Sequence, residues 1–567
     1  MKRIAQFIML IALVALTALP AQARTLVVDM SAATGDLTQW LRGSIKAATR
    51  NDTVVLNVGK GEYTINGTVE FKCNAVIKGE GSDVSTIVFN NGSDRNGFKA
   101  FTDDTFLMLH GLLEQSISVD ISDVTFRLKE HKGIWWNDAG NKSQEKYAVK
   151  IYHAHRVDIH RVNSYLSNAI ITNFDLRICS NVDITDCIIS NYNNTHTGGN
   201  LWIRGEMHNI NVKRNKFFKY GNDEIIAVFS NIVNNKGNQR GNAKRTDIHI
   251  EDNEIHYGYN GKDKDPEMVN HTLFTLQTGN DEGKWVTTTR DFYVKNNTFH
   301  INDECQRCIY VSLTERDKHQ NIYFDGNEIV NEDLHSSRQY YRQDIEINDP
   351  SNSQDPIHIV NNTVTNRNAV LNPSKTIGYS FLLMQGGNVD MSDNKIVSTV
   401  TVDPFTGKEA GVQLVWCGED GGTLTMRNNV CKGVKCVSTV GAGKGTKYFK
   451  LEAFNNYIAG DTRVYCHQVE SLDLNFTGNT LVCDNTSFFL QEFAQKGSVI
   501  FNNNDVTVSS GDGRFMTHWS DVSTDLMKFQ RLEVKNNIFR GVKGEQDMFK
   551  KITNVKKRSV KSNKYTR

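Results

Sequence analysis

Short runs of alternating apolar and polar residues fill most of the chain, and many of them contain one shared frame. The frame has an apolar residue, two spacers, an asparagine, a spacer and a second apolar residue, as in IEDNEI (Ile250–Ile255), VKNNTF (Val294–Phe299) and FDGNEI (Phe324–Ile329). The asparagines of the frame, which recur every 23 to 44 residues, are Asn215, Asn253, Asn297, Asn327, Asn362, Asn394, Asn429, Asn456, Asn479, Asn504, Asn537 and Asn563. A short unit that returns with insertions of variable length is the signature of a solenoid.

Most of these frames follow a second apolar run, such as EIIAVFS (Glu224–Ser230), CIYVSLT (Cys308–Thr314) or YSFLLMQ (Tyr379–Gln385). Both kinds of run are too short for helices and alternate with the period of two that is typical of strands. Each repeat therefore predicts about three short strands, with the asparagine at the bend between two of them. Asparagine suits such a bend because it tolerates left-handed backbone torsions, and amides stacked from coil to coil could bond one another. The pattern predicts an all-β parallel β-helix.

A short amphipathic helix is predicted ahead of the first strands. Asp36 and Gln39 have the spacing of a capping box at its start. A helix at this place would cover the open end of the solenoid and hide its unpaired strand edge. The apolar residues that fall on one face of this helix are Leu37, Trp40, Leu41, Ile45 and Ala48.

The first 23 residues have the pattern of a secretory signal. Lys2 and Arg3 are basic, Ile8–Leu19 is apolar, and Ala21 and Ala23 form a small-residue cleavage box. We therefore expect residues 1–23 to be a signal peptide and residues 24–567 to form one β-helix domain. No later stretch approaches the roughly 20 apolar residues that a membrane helix needs. The sequence predicts an exported protein, periplasmic or extracellular, with no membrane span.

The composition says little about binding partners or about the cellular compartment. The formal net charge of +1 gives no electrostatic argument for nucleic-acid binding. The 10 cysteines are too few for a disulfide scaffold in a chain of 567 residues. They are expected to be buried thiols or incidental bridges; the pairs closest in sequence are Cys179 with Cys187, Cys305 with Cys308, and Cys431 with Cys436.

The predicted helix, the runs DTVVLNVGKGEY (Asp52–Tyr63) and NAVIKGEGSDVSTIVF (Asn74–Phe89), and the asparagine-cornered coils together resemble a known family. They are similar to the right-handed parallel β-helix proteins of the pectate-lyase superfamily, over nearly all of Asp36–Tyr565. The resemblance implies a polysaccharide bound along one parallel sheet, in a groove walled by long loops. Here that sheet would be the one built from runs such as EIIAVFS. The long insertions are Lys129–Lys146, Tyr257–Asn270, Asn331–Gln343 and Val402–Ala410.

Aromatic residues within these insertions are candidates for stacking on sugar rings. Trp135 and Trp136 lie in the first insertion, and Tyr340 lies in the third. Rings on loops more often pack the loop against the body of the protein, so sugar stacking is the alternative role here.

Charged side chains inside apolar strands are a second signal, because alternate residues of a strand share one face. NLWIRGE (Asn200–Glu206) places polar and aromatic residues at that spacing, and similar runs follow in later coils. Strands of neighbouring coils lie about 4.8 Å apart, so these groups could converge into one acidic and basic patch midway along the solenoid. The candidates are Trp202, Arg204, Glu206, Asp223, Glu224, Arg307, Arg316, Asp344 and Glu346.

A lyase that acts on a uronic-acid polymer must neutralise the substrate carboxylate, remove the C5 proton and protonate the leaving oxygen. Asp223 and Glu224 could hold Ca²⁺ for the first task, with Arg204 or Arg307 near the carboxylate. NDEIIAV (Asn222–Val228) is similar to the strand that carries calcium ligands in chondroitinase-B and alginate lyases of this fold. The strand lysine of those families is absent, which leaves the base open.

A metal-free lyase is suggested by KIYHAHRVDIH (Lys150–His160). In this stretch His153 could act as the base and Tyr152 as the acid.

Two other classes of function remain. A glycoside hydrolase needs two carboxyl groups, which Asp223 and Glu224 together with Asp344 and Glu346 could supply. A glycan-binding or surface-structural β-helix needs none. The leading prediction is an exported polysaccharide lyase that cleaves a uronic-acid-containing, acidic glycan by β-elimination.

Overall fold

The computed structural model of the chain describes residues 23–90, 105–112, 114–129, 147–167, 172–192, 198–220, 224–230, 233–234, 237–238, 243–258, 272–278, 286–302, 305–332, 342–351, 353–367, 379–400, 411–440, 445–466, 469–484, 487–491, 496–517, 529–549, 552 and 554–567. Almost all of the predicted signal peptide therefore lies outside the described residues.

The described residues form a parallel β-helix, as the sequence predicts. The chain passes through three parallel sheets in each full coil and then pairs with the coil before it. We call them sheet 1, which precedes the asparagine bend, sheet 2, which follows it, and sheet 3, which follows the insertion after sheet 2. Two strands, Tyr147–His160 and Thr172–Thr185, run from sheet 3 into sheet 1, and Val430–Val440 runs from sheet 2 into sheet 3.

Besides those shared strands, sheet 1 consists of Thr25–Asp29, Thr53–Val58, Asn74–Gly79, Ile117–Ser122, Met207–Lys213, Ala243–Glu251, Thr287–Lys295, Lys318–Asp325, Ile357–Val360, Asn388–Ser392, Gly422–Arg427, Thr446–Phe454, Val469–Thr477, Lys496–Asn502, Phe529–Lys535 and Val555–Lys561. Sheet 2 consists of Gly61–Ile65, Ser85–Phe89, Thr125–Leu128, Asn163–Ser167, Ile188–Tyr192, Lys216–Tyr220, Glu254–Tyr257, Thr298–Ile301, Glu328–Asn331, Thr363–Asn366, Lys395–Ser398, Tyr457–Gly460, Thr480–Cys483, Asp505–Val508, Ile538–Arg540 and Lys564–Thr566. Sheet 3 consists of Val69–Phe71, Thr105–His110, Leu201–Arg204, Ile226–Phe229, Thr272–Gln277, Arg307–Ser312, Arg342–Asn348, Tyr379–Gln385, Val412–Cys417, Val464–Cys466, Ser487–Gln491 and Arg514–Thr517. A two-stranded antiparallel hairpin, Val233–Asn234 with Gly237–Asn238, stands apart from them.

The asparagines of the repeated frame form a continuous ladder inside the bend between sheets 1 and 2. Asn297 is typical: its backbone N–H and its side-chain amide both donate to Asn327 Oδ1, at 3.0 and 3.1 Å. The same amide donates to the carbonyl of Ile250 at 2.8 Å. The pattern runs from Asn215 to Asn563, so the expected ladder is confirmed. It satisfies the polar groups of a buried bend, which would otherwise cost free energy.

The left-handed backbone torsion falls one residue earlier than the sequence suggested. Asp252, Asn361 and Asn428 have φ near +55° (57°, 56° and 55°), and each directly precedes a ladder asparagine. The ladder residue must keep its amide pointed inward, so its neighbour takes the bend. Asparagine, aspartate and glycine are common at this preceding position because they tolerate the left-handed region best.

The core is a set of apolar columns that run along the inside of the solenoid. In sheet 3, for example, Val149, Phe174, Leu201, Ile226 and Phe274 stack on successive coils, and each is at most 1% exposed. Burying one such side chain contributes about 1.5–3 kcal/mol. Because inward residues fill this core, the alternate residues of each strand must point outward.

The N-terminal end of the solenoid carries the predicted helix, Leu37–Ile45. Asp36 caps it by accepting a hydrogen bond from the backbone of Gln39 at 2.9 Å, and Leu41 is fully buried against the first coils. A 3-10 turn, Met30–Ala32, precedes this helix, and a short helix, Glu545–Met548, lies near the other end.

All ten cysteines are free and buried, so no bridge joins the pairs noted in the sequence. Burial raises the pKa of Cys179, Cys187 and Cys431 to about 12. None of the helices described in the structure is long and apolar enough to cross a bilayer.

Candidate functional site

The outer face of sheet 3 has a polar and aromatic stripe near its N-terminal end. Outward residues of successive coils are direct neighbours in register, so Lys150 lies beside Asp175, and Asp175 lies beside Trp202. One position further along the same face, Tyr152 lies beside Arg177, and Arg177 lies beside Arg204. Strand pairing thus collects these residues. With His110, Tyr147 and His153 they form what we call the sheet-3 cluster.

Asp175 lies between two arginines. Arg177 Nε donates to Asp175 Oδ2 at 2.6 Å, and Arg204 Nε lies 3.2 Å from Asp175 Oδ1, close enough for an ion pair although not aligned as a hydrogen bond. The three residues are 0%, 2% and 4% exposed, although they point away from the core. Charged groups are seldom buried to this degree unless they are paired.

Aromatic rings surround these charges. Arg177 Nη2 donates to the Tyr147 hydroxyl at 2.7 Å, and the Arg204 guanidinium lies 4.2 Å from the centre of the Trp202 ring. Trp202 packs against Tyr147 and Phe229 and is 5% exposed. Trp202 and Arg204 therefore lie together, as predicted, but the tryptophan face is used by protein contacts.

Tyr152 is half-buried at the edge of the cluster, between two imidazoles and a guanidinium. The ring centre of His153 lies 4.2 Å from that of Tyr152, edge to face, and the ring of His110 lies 5.6 Å away. His153 has a left-handed φ of 53°. That torsion turns the chain from sheet 3 into sheet 1 and leaves the His153 side chain beside Tyr152. His110 Nδ1 in turn lies 3.8 Å from Glu70 Oε1.

The surroundings of His153 and Tyr152 shift the pKa of each side chain. Burial lowers the pKa of His153, and the positive charge of His110 lowers it further. Its imidazole is therefore mainly neutral at pH 7, as a base must be. Burial raises the pKa of Tyr152, and the charge of Arg177 partly opposes that rise. The phenol thus keeps its proton at neutral pH and has a cation next to it that would stabilise its anion.

Arg307 and Glu346 form a second, smaller group further along sheet 3. Arg307 Nε donates to Glu346 Oε2, and the guanidinium lies 4.5 Å from the ring centre of Tyr310. Tyr310 is three coils from Trp202 in register, which is about 14 Å at the usual strand spacing. The single mid-solenoid patch expected from the sequence is therefore divided into two groups.

Asp344 belongs to neither group, although it shares strand parity with Glu346. It is fully buried, and its carboxylate accepts hydrogen bonds from the Tyr379 hydroxyl and from Asn331 Nδ2, the latter at 3.1 Å. Arg342, also fully buried, donates to Asn331. Burial raises the pKa of Asp344, opposed by the charge of Arg342. The expected pairing of Asp344 with Glu346 on one open face is not present.

Three further candidates are dispersed. Glu206 follows Gly205, whose φ of 86° ends the strand, and it is exposed beyond that turn. Arg316 is exposed in a turn. Glu224 Oε1 lies 3.4 Å from Thr275 Oγ1. The remaining candidates lie outside the described residues, namely Trp135, Trp136, Asp223 and Tyr340.

Several members of the sheet-3 cluster were not singled out in the sequence. Asp175 and Arg177 sit at period two within NFDLRICS (Asn173–Ser180), the same signal that identified Arg204. Lys150 lies in the stretch that contains Tyr152, two residues before it. His110 and Tyr147 gave no local signal, because only the register of the folded coils brings them here.

The expected calcium site, Asp223 with Glu224, stays a prediction because Asp223 lies outside the described residues. Among the described residues, the one group of three or more His, Cys, Asp or Glu residues spaced to hold an ion is Glu254, His256 and His300, on sheet 2. This group has two imidazoles and one carboxylate, whereas Ca²⁺ prefers oxygen ligands.

Comparison with known proteins yields similarity of fold only. No protein-family model and no curated protein matches the sequence. Similar solved structures include the catalytic unit of a GH87 alpha-1,3-glucanase from Streptomyces thermodiastaticus, at 12% identity over 96% of this chain and 70% of that one, with a TM-score of 0.28. The PL6 family alginate lyase AlyGC matches at 10% identity over 95% of this chain and 100% of that one, with a TM-score of 0.20. The pre-mature gene product 12 of bacteriophage phi29 matches at 10% identity over 90% and 73%, with a TM-score of 0.26.

Proposed function

We propose that the protein is a polysaccharide-degrading enzyme, specifically a lyase that cleaves a uronic-acid-containing glycan by β-elimination at the sheet-3 cluster. One observation carries the proposal. A half-buried tyrosine, Tyr152, lies between a histidine whose lowered pKa keeps it neutral and an arginine that faces away from the core. These are the base, the acid and the cation that elimination needs.

In this reaction the neutral imidazole of His153 removes the C5 proton of a uronate residue, and the C5–H electron pair begins the C4–C5 double bond. The C4–O bond breaks, and the Tyr152 hydroxyl gives its proton to the leaving glycosidic oxygen. Base and acid stand 4.2 Å apart, measured between ring centres, on one side of the site. The arrangement therefore suits a uronate whose C5 proton and C4 oxygen leave from the same face of the ring.

Arg177, Arg204 and Lys150 would supply positive potential next to this pair. The developing negative charge in elimination spreads from C5 to the uronate carboxylate, so fixed cations nearby lower the barrier. Asp175 lies between the two arginines at 2.6 and 3.2 Å and holds them in place. The Trp202 ring packs on the Arg204 guanidinium and supports it.

We favour a lyase because it uses the Tyr152 and His153 pair, whereas a hydrolase needs two carboxyl groups roughly 5–10 Å apart, a spacing that Asp175 and Glu346 do not meet. On the outer face of sheet 3, Asp175 and Glu346 are each bonded to an arginine. They stand five coils apart in register, which is about 24 Å. Asp461, bonded to Arg463 at 2.8 Å, lies four coils beyond Glu346.

A non-catalytic glycan binder would use exposed ring faces. The aromatic ladder on the outer face of sheet 1 does not offer them, because its rings stack on one another. The centres of His249, Tyr293, Tyr323 and His358 are 5.0, 5.7 and 4.2 Å apart in turn. Only ring edges remain for a ligand, so we assign this ladder to the stability of the coils.

Calcium bound by Asp223 and Glu224 remains a further proposal. The ion would neutralise the substrate carboxylate when bound, but no step above depends on it. The export of the mature chain to the periplasm or the medium is likewise proposed, on the signal pattern alone.

The test is incubation of the mature protein with a panel of acidic polysaccharides, with added calcium and with chelator. The ultraviolet absorbance of an unsaturated uronate, which only elimination creates, supports the proposal. Its persistence in chelator shows that calcium is dispensable, and its loss points to Asp223 and Glu224. New reducing ends without absorbance would overturn the lyase in favour of a hydrolase, and the absence of both signals on every glycan would favour binding.

A further inference from the structure

A group of metal-binding side chains lies on sheet 2, away from the sheet-3 cluster. Glu254 and His256 belong to the strand Glu254–Tyr257, and His300 lies opposite His256 on the next strand, Thr298–Ile301. One ligand atom from each of the three lies within 4.8 Å of the others. All three side chains point outward and are partly exposed, so an ion in solvent can reach them.

The donor atoms are close enough for small movements to bring them onto one ion. His256 Nε2 and Glu254 Oε1 share a hydrogen bond at 2.5 Å, which an ion would replace, and the rings of His256 and His300 stack with centres 4.6 Å apart at an interplanar angle of 13°. Two donor atoms bound to one ion at about 2.1 Å are at most about 4.2 Å apart. Donor atoms within 4.8 Å must therefore move by only about 1 Å, which rotation of the imidazoles provides.

We propose that Glu254, His256 and His300 bind one divalent transition-metal ion of the zinc class. Two imidazole nitrogens and one carboxylate oxygen are a familiar zinc ligand set, and solvent would take the fourth position. Ni²⁺ and Cu²⁺ favour imidazole as well, whereas Ca²⁺ and Mg²⁺ prefer oxygen ligands. The ion would link two successive coils of the solenoid.

One neighbouring group opposes such binding. Lys216 opposes binding, because its ammonium lies 2.7 Å from Glu254 Oε2. That side chain is 55% exposed and can swing away.

Stacking alone does not account for the group. Phe218 stacks on His256 from the other side, with centres 4.8 Å apart, so a phenyl ring fits this column as well as an imidazole does. A matched control stands on sheet 1. His358 stacks on Tyr323 at 4.2 Å and lies 3.4 Å from Asp390, but among the described residues it belongs to no group of three metal-binding side chains.

The experiment uses the mature chain without a histidine tag. Co²⁺, whose visible absorption reports tetrahedral coordination, is titrated first, and Zn²⁺ is then measured by calorimetry. We expect one ion per chain and a higher melting temperature with Zn²⁺. His300→Phe, which preserves stacking, should weaken binding more than about tenfold, since even the loss of an outer-shell partner costs that much. His358→Phe should bind as the wild type does.

Two more variants make the outcome decisive. Glu254→Gln should also weaken binding, and it replaces His300→Phe if that variant does not fold. Lys216→Gln should strengthen binding severalfold by removing the competing cation. Wild-type protein without stoichiometric binding, or His300→Phe and Glu254→Gln with wild-type affinity, would overturn the proposal. None of these results depends on the activity of the sheet-3 cluster.

Discussion

Two sets of opposite charges point away from the core, one on sheet 3 and one on sheet 2, and they differ in their exposure to water. The side chains of Asp175, Arg177 and Arg204 are 0%, 3% and 4% exposed, whereas those of Lys216 and Glu254 are 55% and 36% exposed. An exposed pair forms at little cost and contributes about 0–1 kcal/mol. Taking charges out of water costs several kcal/mol per ion. The charges of the sheet-3 set are costly to bury, so solubility does not explain their presence.

Burial alone does not identify that reason. Arg342 and Asp344 are as deeply buried as Asp175, yet their bonds go to Asn331 and Tyr379, which are buried as well. The sheet-3 set differs because it adjoins Tyr152, a half-buried acid next to a neutral imidazole. The proposed site on sheet 3 therefore rests on the titratable groups beside the buried charges and not on burial alone.

The largest expected effect comes from removing the carboxylate between the two arginines. Asp175→Ala leaves two guanidinium groups buried without it and should lower the free energy of unfolding by about 3–5 kcal/mol. The matched control is Asp505→Ala, which breaks the exposed pair with Arg540 and should cost less than about 1 kcal/mol. Urea unfolding followed by circular dichroism measures both. Equal effects would show that burial on sheet 3 does not matter energetically.

Disrupting the uncharged asparagine ladder should lower the free energy of unfolding by a smaller amount. The difference from Asp175→Ala shows how much of that larger effect is due to charge. Asn327→Ala removes the acceptor for the backbone and amide of Asn297 and a donor to the carbonyl of Val294. Unpaired buried polar groups should lower the free energy of unfolding by about 2–3 kcal/mol. Asn361→Gly, one residue before the next ladder position, is the control, because glycine tolerates the left-handed torsion there. A loss larger than that of Asp175→Ala would contradict the ranking.

The smallest effect is a pH dependence. Burial, followed by the charge of His110, lowers the pKa of His153 below its unfolded value of about 6.5. The unfolded chain therefore binds the proton more readily, so this stability is present above about pH 6.5 and is lost as the pH falls through the folded pKa. The melting temperature should fall less steeply toward pH 5 in His153→Gln than in the wild type.

A variant at His300 on sheet 2, whose pKa is also lowered, separates the effect of histidine titration on stability from its effect on activity. His300→Phe should flatten the melting profile in the same direction but leave the pH profile of kcat/KM unchanged. Wild-type kcat/KM should have an acid limb with a midpoint below about 6.5. A midpoint above that value would contradict the assignment of His153 as the base.

Much of the fold could be predicted from the repeated frame alone. Period two and a fixed asparagine define coils, strands and the ladder, because inward side chains must stack in register. The left-handed torsion was misplaced by one residue, since a sequence shows that a bend occurs but not which of two polar neighbours takes it. At Asp252 and Asn253, for instance, both residue types tolerate the bend.

The site could be predicted less well. Alternation correctly gave outward positions to Arg204 and Glu346, but it cannot tell which outward positions are covered. Asp344 is buried by contacts with Asn331 and Tyr379, which come from other strands. Tyr152 was found from its own stretch of sequence, whereas its neighbour Arg177 lies 25 residues further along the chain and joins it only through the register of two coils.

The most direct test of the sheet-3 cluster as the catalytic site is the rate of elimination by Tyr152→Phe on the glycan that the wild type degrades. Loss of the proton donor should lower kcat/KM by about 10²–10⁴-fold without changing the melting temperature. Tyr323→Phe, in the stacked ladder of sheet 1, is the control and should keep the wild-type rate. An unchanged rate in Tyr152→Phe would contradict the account and place the chemistry elsewhere on the solenoid.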